Sequence, residues 1–232
     1  MCLLPASKGG YFAGQLGPLL TSRPAPLSPP SSARFAIGAC YALGMSTDRT
    51  YTIAVLVGSL RPEGFSKTVA RTLISLAPSS LEFEFVEIGD LALYNMELEE
   101  AVPPAWAEFR SKVRSKDALL FVTPEYNRSI PGALKNAIDV GSRPYGHSVW
   151  SEKPAGVVSV SPGNMGAFGA NHHLRQTFVF LNVPVMQQPE AYIGGVVKLF
   201  DSEGNLVDEG TREFFRTYMN AFETWIKSMV RV

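Results

Sequence analysis

The chain has 232 residues, 46% of them hydrophobic and 18% charged, a balance that suits one globular domain, or one plus a tail, and is too apolar for a disordered chain. Lys plus Arg and Asp plus Glu each number 21, so overall charge steers the protein neither to nucleic acid nor to an acidic membrane. No apolar run reaches the ~18 to 20 residues of a membrane span, and a soluble protein without nucleic-acid or membrane partners is expected.

Residues 1–44 stand apart. They hold Lys8, Arg23 and Arg34, no acid, and both cysteines, Cys2 and Cys40, which leaves 18 basic against 21 acidic residues, a net of −3, from Met45 onward. A disulfide framework, a thiol nucleophile and a cysteine metal site are excluded there. Pro18, Pro24, Pro26, Pro29 and Pro30 deny the leader a long helix. It lacks the basic front of a secretory signal and is acid-poor and Ser-rich like an organelle transit peptide, but short of arginine. The preferred reading makes 1–44 an upstream extension, Met45 the physiological start, and 45–232 the functional domain. A cytoplasmic location goes with it; a genuine transit peptide would imply organelle import.

Thr52 to Val57 is nearly continuous apolar sequence, as a strand covered on both faces requires. Ser66 to Leu76 places Val69, Leu73 and Leu76 at helical spacing before Pro78. Glu82 to Glu87 alternates acid and apolar residues for most of its length, the mark of a strand with one wet face or a sheet edge. Behind Pro103 and Pro104, Trp106, Phe109 and Val113 have helical spacing. Ala118 to Thr123 is a third apolar strand, Ile130 to Ile138 a helix opened by Pro131, and Ala155 to Val160 a fourth strand. A helix from about Ala170 to Leu181 follows a Gly-rich turn. Val183 to Met186 is expected to be the fifth strand, confined to an edge by Pro184. Phe214, Phe215, Tyr218, Phe222, Trp225, Ile226 and Met229 form the apolar stripe of a closing helix, read as core.

Strands alternating with helices imply an α/β fold, a doubly wound five-stranded parallel sheet with helices on both faces. Order 2-1-3-4-5 puts the alternating and the Pro-bearing strands at the edges, and a ligand sits beyond the strands' carboxyl ends. Three loops emerge there. Gly58 to Thr68 combines hydroxyls, glycines, Arg61 and the start of a helix, a seat for a phosphate; its spacing matches neither a Walker A loop nor a dinucleotide fingerprint. The same residues could form only a turn capped by Ser66. Pro124 to Gly132 joins a proline-stiffened loop to an aromatic and an amide, which can hold a planar heterocycle or be merely a turn. Ser161 to Gly166 has glycines that let backbone approach a ligand.

Together the loops resemble the NADPH-dependent FMN reductase family, in particular its quinone and chromate reductase branch. The match is carried by Gly58-Ser59-Leu60-Arg61, by Pro124-Glu125-Tyr126-Asn127-Arg128-Ser129-Ile130-Pro131-Gly132, by Leu134-Lys135-Asn136-Ala137-Ile138-Asp139 and by His173-Leu174-Arg175-Gln176. The likeness spans about Tyr51 to Val230 and implies a flavodoxin-like fold. It also implies a flavoenzyme that passes a hydride from NADPH or NADH through FMN to quinones, free flavin, azo compounds, chromate or similar small acceptors. By resemblance, Ser59, Arg61 and Ser66 bind the FMN phosphate, Pro124, Glu125, Tyr126 and Asn127 line the isoalloxazine ring, and Ser161 and Gly163 close its other side. Members often carry Ser at Gly64, Asn at Ser66 and Trp at Val140, so one phosphate contact falls to backbone or water.

The resemblance further implies a homodimer or homotetramer, with the helix after Pro131 and the segment after Gly166 as interface candidates. No side chain need be catalytic, because the flavin carries the chemistry, and no metal site is expected. His172 and His173 are adjacent on a helix and diverge, and Glu97, Glu99 and Glu100 read as a solvated face. Two other readings of the fold are a flavodoxin-type electron carrier and a nucleotide-binding regulator without redox turnover.

Overall fold

The computed structural model describes residues 49–230; the reading of 1–44 as a leader, with Cys2, Cys40 and the Met45 start, lies outside the described residues. Five strands, β1 (Tyr51–Val57), β2 (Leu81–Phe85), β3 (Ala118–Thr123), β4 (Ala155–Val160) and β5 (Ala191–Ile193), form one sheet in the order β2-β1-β3-β4-β5 with every pairing parallel. The helices are α1 (Phe65–Ser75), α2 (Pro104–Arg114), α3 (Gly132–Gly141), α4 (Phe168–Phe180) and α5 (Glu209–Met229). No described helix is long and apolar enough to cross a membrane.

The apolar runs that mark β1, β3 and β4 are the buried centre of this sheet: every residue of β3 and β4 is buried. Two cores follow. On one face Trp106 and Phe109 of α2, Leu134 and Ala137 of α3 and Leu174 and Phe178 of α4 pack on Leu56, Phe121 and Val157. On the other, Val69 and Leu73 of α1 and Phe215, Tyr218, Phe222 and Ile226 of α5 pack on Val55, Leu120 and Val158. The stripe is core at Phe215, Tyr218, Phe222 and Ile226, half-buried against that core at Phe214 and Trp225, and exposed at Met229. Asp208 caps α5, its Oδ1 accepting from the Thr211 amide at 2.7 Å.

One strand is displaced from expectation. Val183 to Met186 does not form the edge strand; it makes a single bridge, Val185 to Ala155, at the amino end of β4, with the Ala155 amide donating to Pro184 and Met186 donating back to Ala155. The chain then leaves the sheet through Gln187 to Pro189 and returns as Ala191–Ile193 beside Val158 to Val160. Val183, Val185 and Met186 are apolar because they are buried, and the true edge strand is only three residues long, too short for a period to register.

Parallel pairing and right-handed crossovers bring the exits of β1, β3 and β4 to one end of the sheet. Gly58 holds the first two together: its amide donates to Val122 O at 2.9 Å, and a Cβ there would meet Thr123 Oγ1 at 2.6 Å and Pro124 Cδ at 3.2 Å.

Candidate functional site

The loop after β1 turns tightly, with the Gly64 amide donating to Arg61 O at 3.2 Å and the Arg61 amide to Ser59 Oγ at 3.3 Å. Gly64, not Ser66, is the residue before the first turn of α1; Ser66 is the second helical residue and is buried. That N-terminus has no side-chain cap and no acid in its first turn. The amides of Leu60, Glu63, Phe65 and Ser66 have no acceptor among the described residues. Helix-start amides in need of an anion, with the exposed Arg61 beside them, fit a phosphate monoester. A Cβ at Gly64 would lie 2.9 Å from Ser59 Oγ and 3.2 Å from Arg61 O, so the turn leaves little room for a side chain at that position.

The loop after β3 is a two-residue turn. Tyr126 and Ser129 exchange both backbone hydrogen bonds at 2.9 Å, and Asn127 and Arg128 between them have φ of 52° and 65°, as a type I′ turn requires. Tyr126 is left 50% exposed, and the amides of Glu125 and Asn127 keep no acceptor among the described residues. Backbone donors and an exposed aromatic ring suit the edge and face of a planar heterocycle. The Glu125 side chain points elsewhere: Oε2 accepts from the Ala170 amide at 3.0 Å in the first turn of α4, and Oε1 lies 3.6 Å from Arg128 Nη1. Glu125 thus ties this loop to α4, and only its main chain can face a ring.

The loop after β4 is fixed around one carbonyl. Gly163 O accepts from Ser161 Oγ at 2.9 Å, the Gly195 amide at 3.2 Å and the Gly166 amide at 3.3 Å, and the amides of Gly163, Asn164 and Met165 have no acceptors among the described residues. Gly166 has φ +57° and abuts the backbone of Tyr192 at 2.5 Å from a built Cβ. Ser159 Oγ donates to Gly166 O at 2.7 Å, and buried Asn171 donates to Ser159 Oγ at 3.2 Å and is itself bonded by Arg175 Nε at 2.9 Å. The motif His173-Leu174-Arg175 is thereby partly explained as scaffolding. His173 Nδ1 pairs with Ser129 Oγ at 2.6 Å, whereas His172 Nε2 pairs with Tyr192 OH at 2.9 Å. Burial, reinforced by Glu190, pushes Tyr192 up to about 12, so it stays a neutral phenol. Phe168 lies over His172 and Tyr192 with ring centroids 4.2 and 5.3 Å away.

The structure thus gathers Ser59, Arg61 and Ser66 at one end of the sheet with Pro124 to Asn127, and Arg128 Nη1, 3.7 Å from Met165 Sδ, links that turn to the loop of Ser161 and Gly163. The sequence reading missed Arg128 as a bridge and Glu125 as an anchor. The only signal was Asn127-Arg128 in a space that admits just two turn residues. Cavity size does not single out the site. Clefts of about 590 and 380 Å³ lie by the carboxyl end of α4 and residues 142–152, reaching Pro184 at the amino end of β4. Donor chemistry points to the loops instead. Asn136 of the Leu134-Lys135-Asn136 run serves the fold: it is buried, donates to Leu91 O and Ala92 O at 3.0 and 3.1 Å and accepts from the Tyr94 amide at 2.8 Å.

Residues 51–198 match the model of a family described as NADPH-dependent FMN reductase. A quinone reductase of Pseudomonas putida is 60% identical over 180 residues, covering 77% of this chain and 96% of that protein. A 2-hydroxy-1,4-benzoquinone reductase of a Burkholderia species is 45% identical over 175 residues, covering 75% and 96%. Among solved structures, FerB of Paracoccus denitrificans, a flavoenzyme NAD(P)H:(acceptor) oxidoreductase, superposes with a TM-score of 0.74 at 39% identity over 78% of this chain and 99% of that one.

Proposed function

Because this chain belongs to the NADPH-dependent FMN reductase family, we propose that it is an NAD(P)H-dependent FMN oxidoreductase that reduces quinones, free flavin and similar small acceptors. The observation that carries the reading is the uncapped, acid-free start of α1, set by Gly58 against the loop that bears the exposed Tyr126. When bound, FMN supplies a ring that takes a hydride from the nicotinamide and delivers two electrons to the acceptor. The residues of the chain bind and orient. Ser59, Arg61, Ser66 and the amides of Phe65 and Ser66 hold the phosphate. Pro124, Tyr126, Asn127 and the main chain of Glu125 line the ring, and Ser161 and Gly163 close its far side. The acceptor-free amides of the Gly163 loop add donors without adding a side chain that could titrate.

Residues 45–232 carry this activity in a homodimer or homotetramer in the cytoplasm. What supports self-association is Val179 and Phe180 at the end of α4, 83% and 84% exposed on a single chain, since neighbouring large apolar side chains left so exposed mark a surface that a partner covers. The decisive experiment is the visible spectrum of the purified protein, followed by steady-state NADPH oxidation with a quinone. A yellow protein with sustained turnover is expected; a yellow protein without it is an electron carrier, and a colourless protein that takes up no FMN refutes both.

A further inference from the structure

Arg128 is held in a conformation that costs free energy and is given little in return by the fold. A non-glycine residue in the left-handed region costs roughly 1–2 kcal/mol, and the second central position of a type I′ turn favours glycine, yet Arg128 occupies it at φ 65°. Its side chain is 76% exposed and lies 3.6 Å from a Glu125 side chain that is only 16% exposed, a long contact that leaves the outer face of the guanidinium in solvent. The other Glu125 oxygen is already taken by the Ala170 amide, and Arg128 Nη1 also reaches the Met165 thioether at 3.7 Å, a weak acceptor. A guanidinium so placed keeps most of its hydrogen-bonding capacity for a third partner. Exposed apolar residues stand on the segments it joins: Tyr126, Met165 and Phe168 are 50%, 60% and 45% exposed, and the Arg128 carbonyl rests 3.0 Å from a built Cβ on Gly169, the residue after Phe168. A cation held by one long contact, beside segments that expose apolar and aromatic side chains, fits a flat aromatic anion.

We propose that Arg128 selects the electron acceptor, favouring quinones that carry an ionised hydroxyl or carboxylate over neutral ones. The inference rests on the quinone-reductase reading above. A ring hydroxyl conjugated to a quinone carbonyl is a vinylogous acid and is ionised at neutral pH, so its oxygen and the carbonyl oxygen on the adjacent ring carbon stand side by side in one plane. That matches the planar fork of a guanidinium.

The test compares 2-hydroxy-1,4-benzoquinone with 1,4-benzoquinone in the FMN-loaded protein with NADPH as donor. In Arg128→Ala, kcat/KM for the hydroxyquinone falls about tenfold or more, the loss lying in KM and shrinking at high salt, while the neutral quinone changes less than twofold. Arg128→Lys recovers part of the loss. Benzoate, an aromatic anion that is not reduced, gives a readout apart from turnover: titrated into the wild type, it shifts the amide resonances of residues 125–130, and it does not in Arg128→Ala. Equal loss with both quinones, an unmoved ratio, or benzoate shifts that survive Arg128→Ala would overturn the proposal while leaving the reductase reading intact. A wild-type protein that reduces neither quinone would overturn the reading beneath it.

Discussion

Replacing Gly166 by alanine is a severe perturbation at a site where no catalytic group is touched. Gly166 has φ +57°, which costs an alanine about 1–2 kcal/mol. The new Cβ would lie 2.5 Å from Tyr192 C and 2.7 Å from Tyr192 O, main-chain atoms of β5 that cannot rotate away. Relieving such a contact by shifting the loop or the strand costs about 1–3 kcal/mol more. The Ser159 Oγ bond to Gly166 O at 2.7 Å goes with it. A total of roughly 2–5 kcal/mol corresponds to a fall in Tm of about 10 °C for a domain of this size. Gly163→Ala is the matched control, three residues away in the same loop, where the nearest atom to a built Cβ is Ser161 Oγ at an ordinary 3.6 Å. Differential scanning calorimetry of both variants, with and without FMN, reads the effect. The Gly166 variant melts far lower, retains FMN poorly and starts α4 out of place, and the Gly163 variant melts within about 2 °C of wild type. A Gly166→Ala protein with unchanged Tm would refute the claim that this loop is clamped between β5 and α4.

Arg61→Ala retains FMN about tenfold less tightly, with the loss diminishing as salt rises because an Arg–phosphate contact is charge-assisted, measured by quenching of FMN fluorescence. Tyr126→Ala lowers turnover while shifting stability by no more than about 0.5 kcal/mol, since half of the side chain is already exposed; thermal melts and initial rates separate the two. Glu125→Ala costs about 2 kcal/mol by freeing the Ala170 amide from a charged acceptor, read by urea unfolding. Burial works to raise the Glu223 carboxyl, but Lys227 at 2.7 Å and the Ser80 hydroxyl outweigh it and hold it below its usual range. A carboxylate whose folded value is depressed stabilises above its unfolded value and loses that contribution as pH falls through the folded one. Glu223→Gln should therefore lower Tm at pH 7, with the difference fading below about pH 4.

The layered fold could be read from the chain because β1, β3 and β4 are buried on both faces, which leaves continuous apolar runs, and because prolines punctuate the helices that follow. β5 could not, since three residues carry no period and Val183 to Met186 is the more apolar stretch for a different reason, burial of Val183 and Val185 in the core under α4 and of Met186 in the core under α5. The loops were legible as positions and as residue types. Their internal wiring was not: Glu125 meets Ala170, and Asn136 meets Leu91 and Ala92, about 45 residues away in each case, and no local pattern records such pairings. Ser66 looked like a cap because serine often is one; the chain keeps that helix start uncapped, which leaves it open to a ligand.

The most direct measurement is a crystal structure of the protein grown with FMN. The account predicts the phosphate within about 3 Å of the Phe65 and Ser66 amides with Arg61 alongside, and the flavin ring against Tyr126 and the Asn127 amide. A phosphate bound anywhere other than the start of α1, or a ring facing the cleft by Asn182 and Phe180, would contradict it.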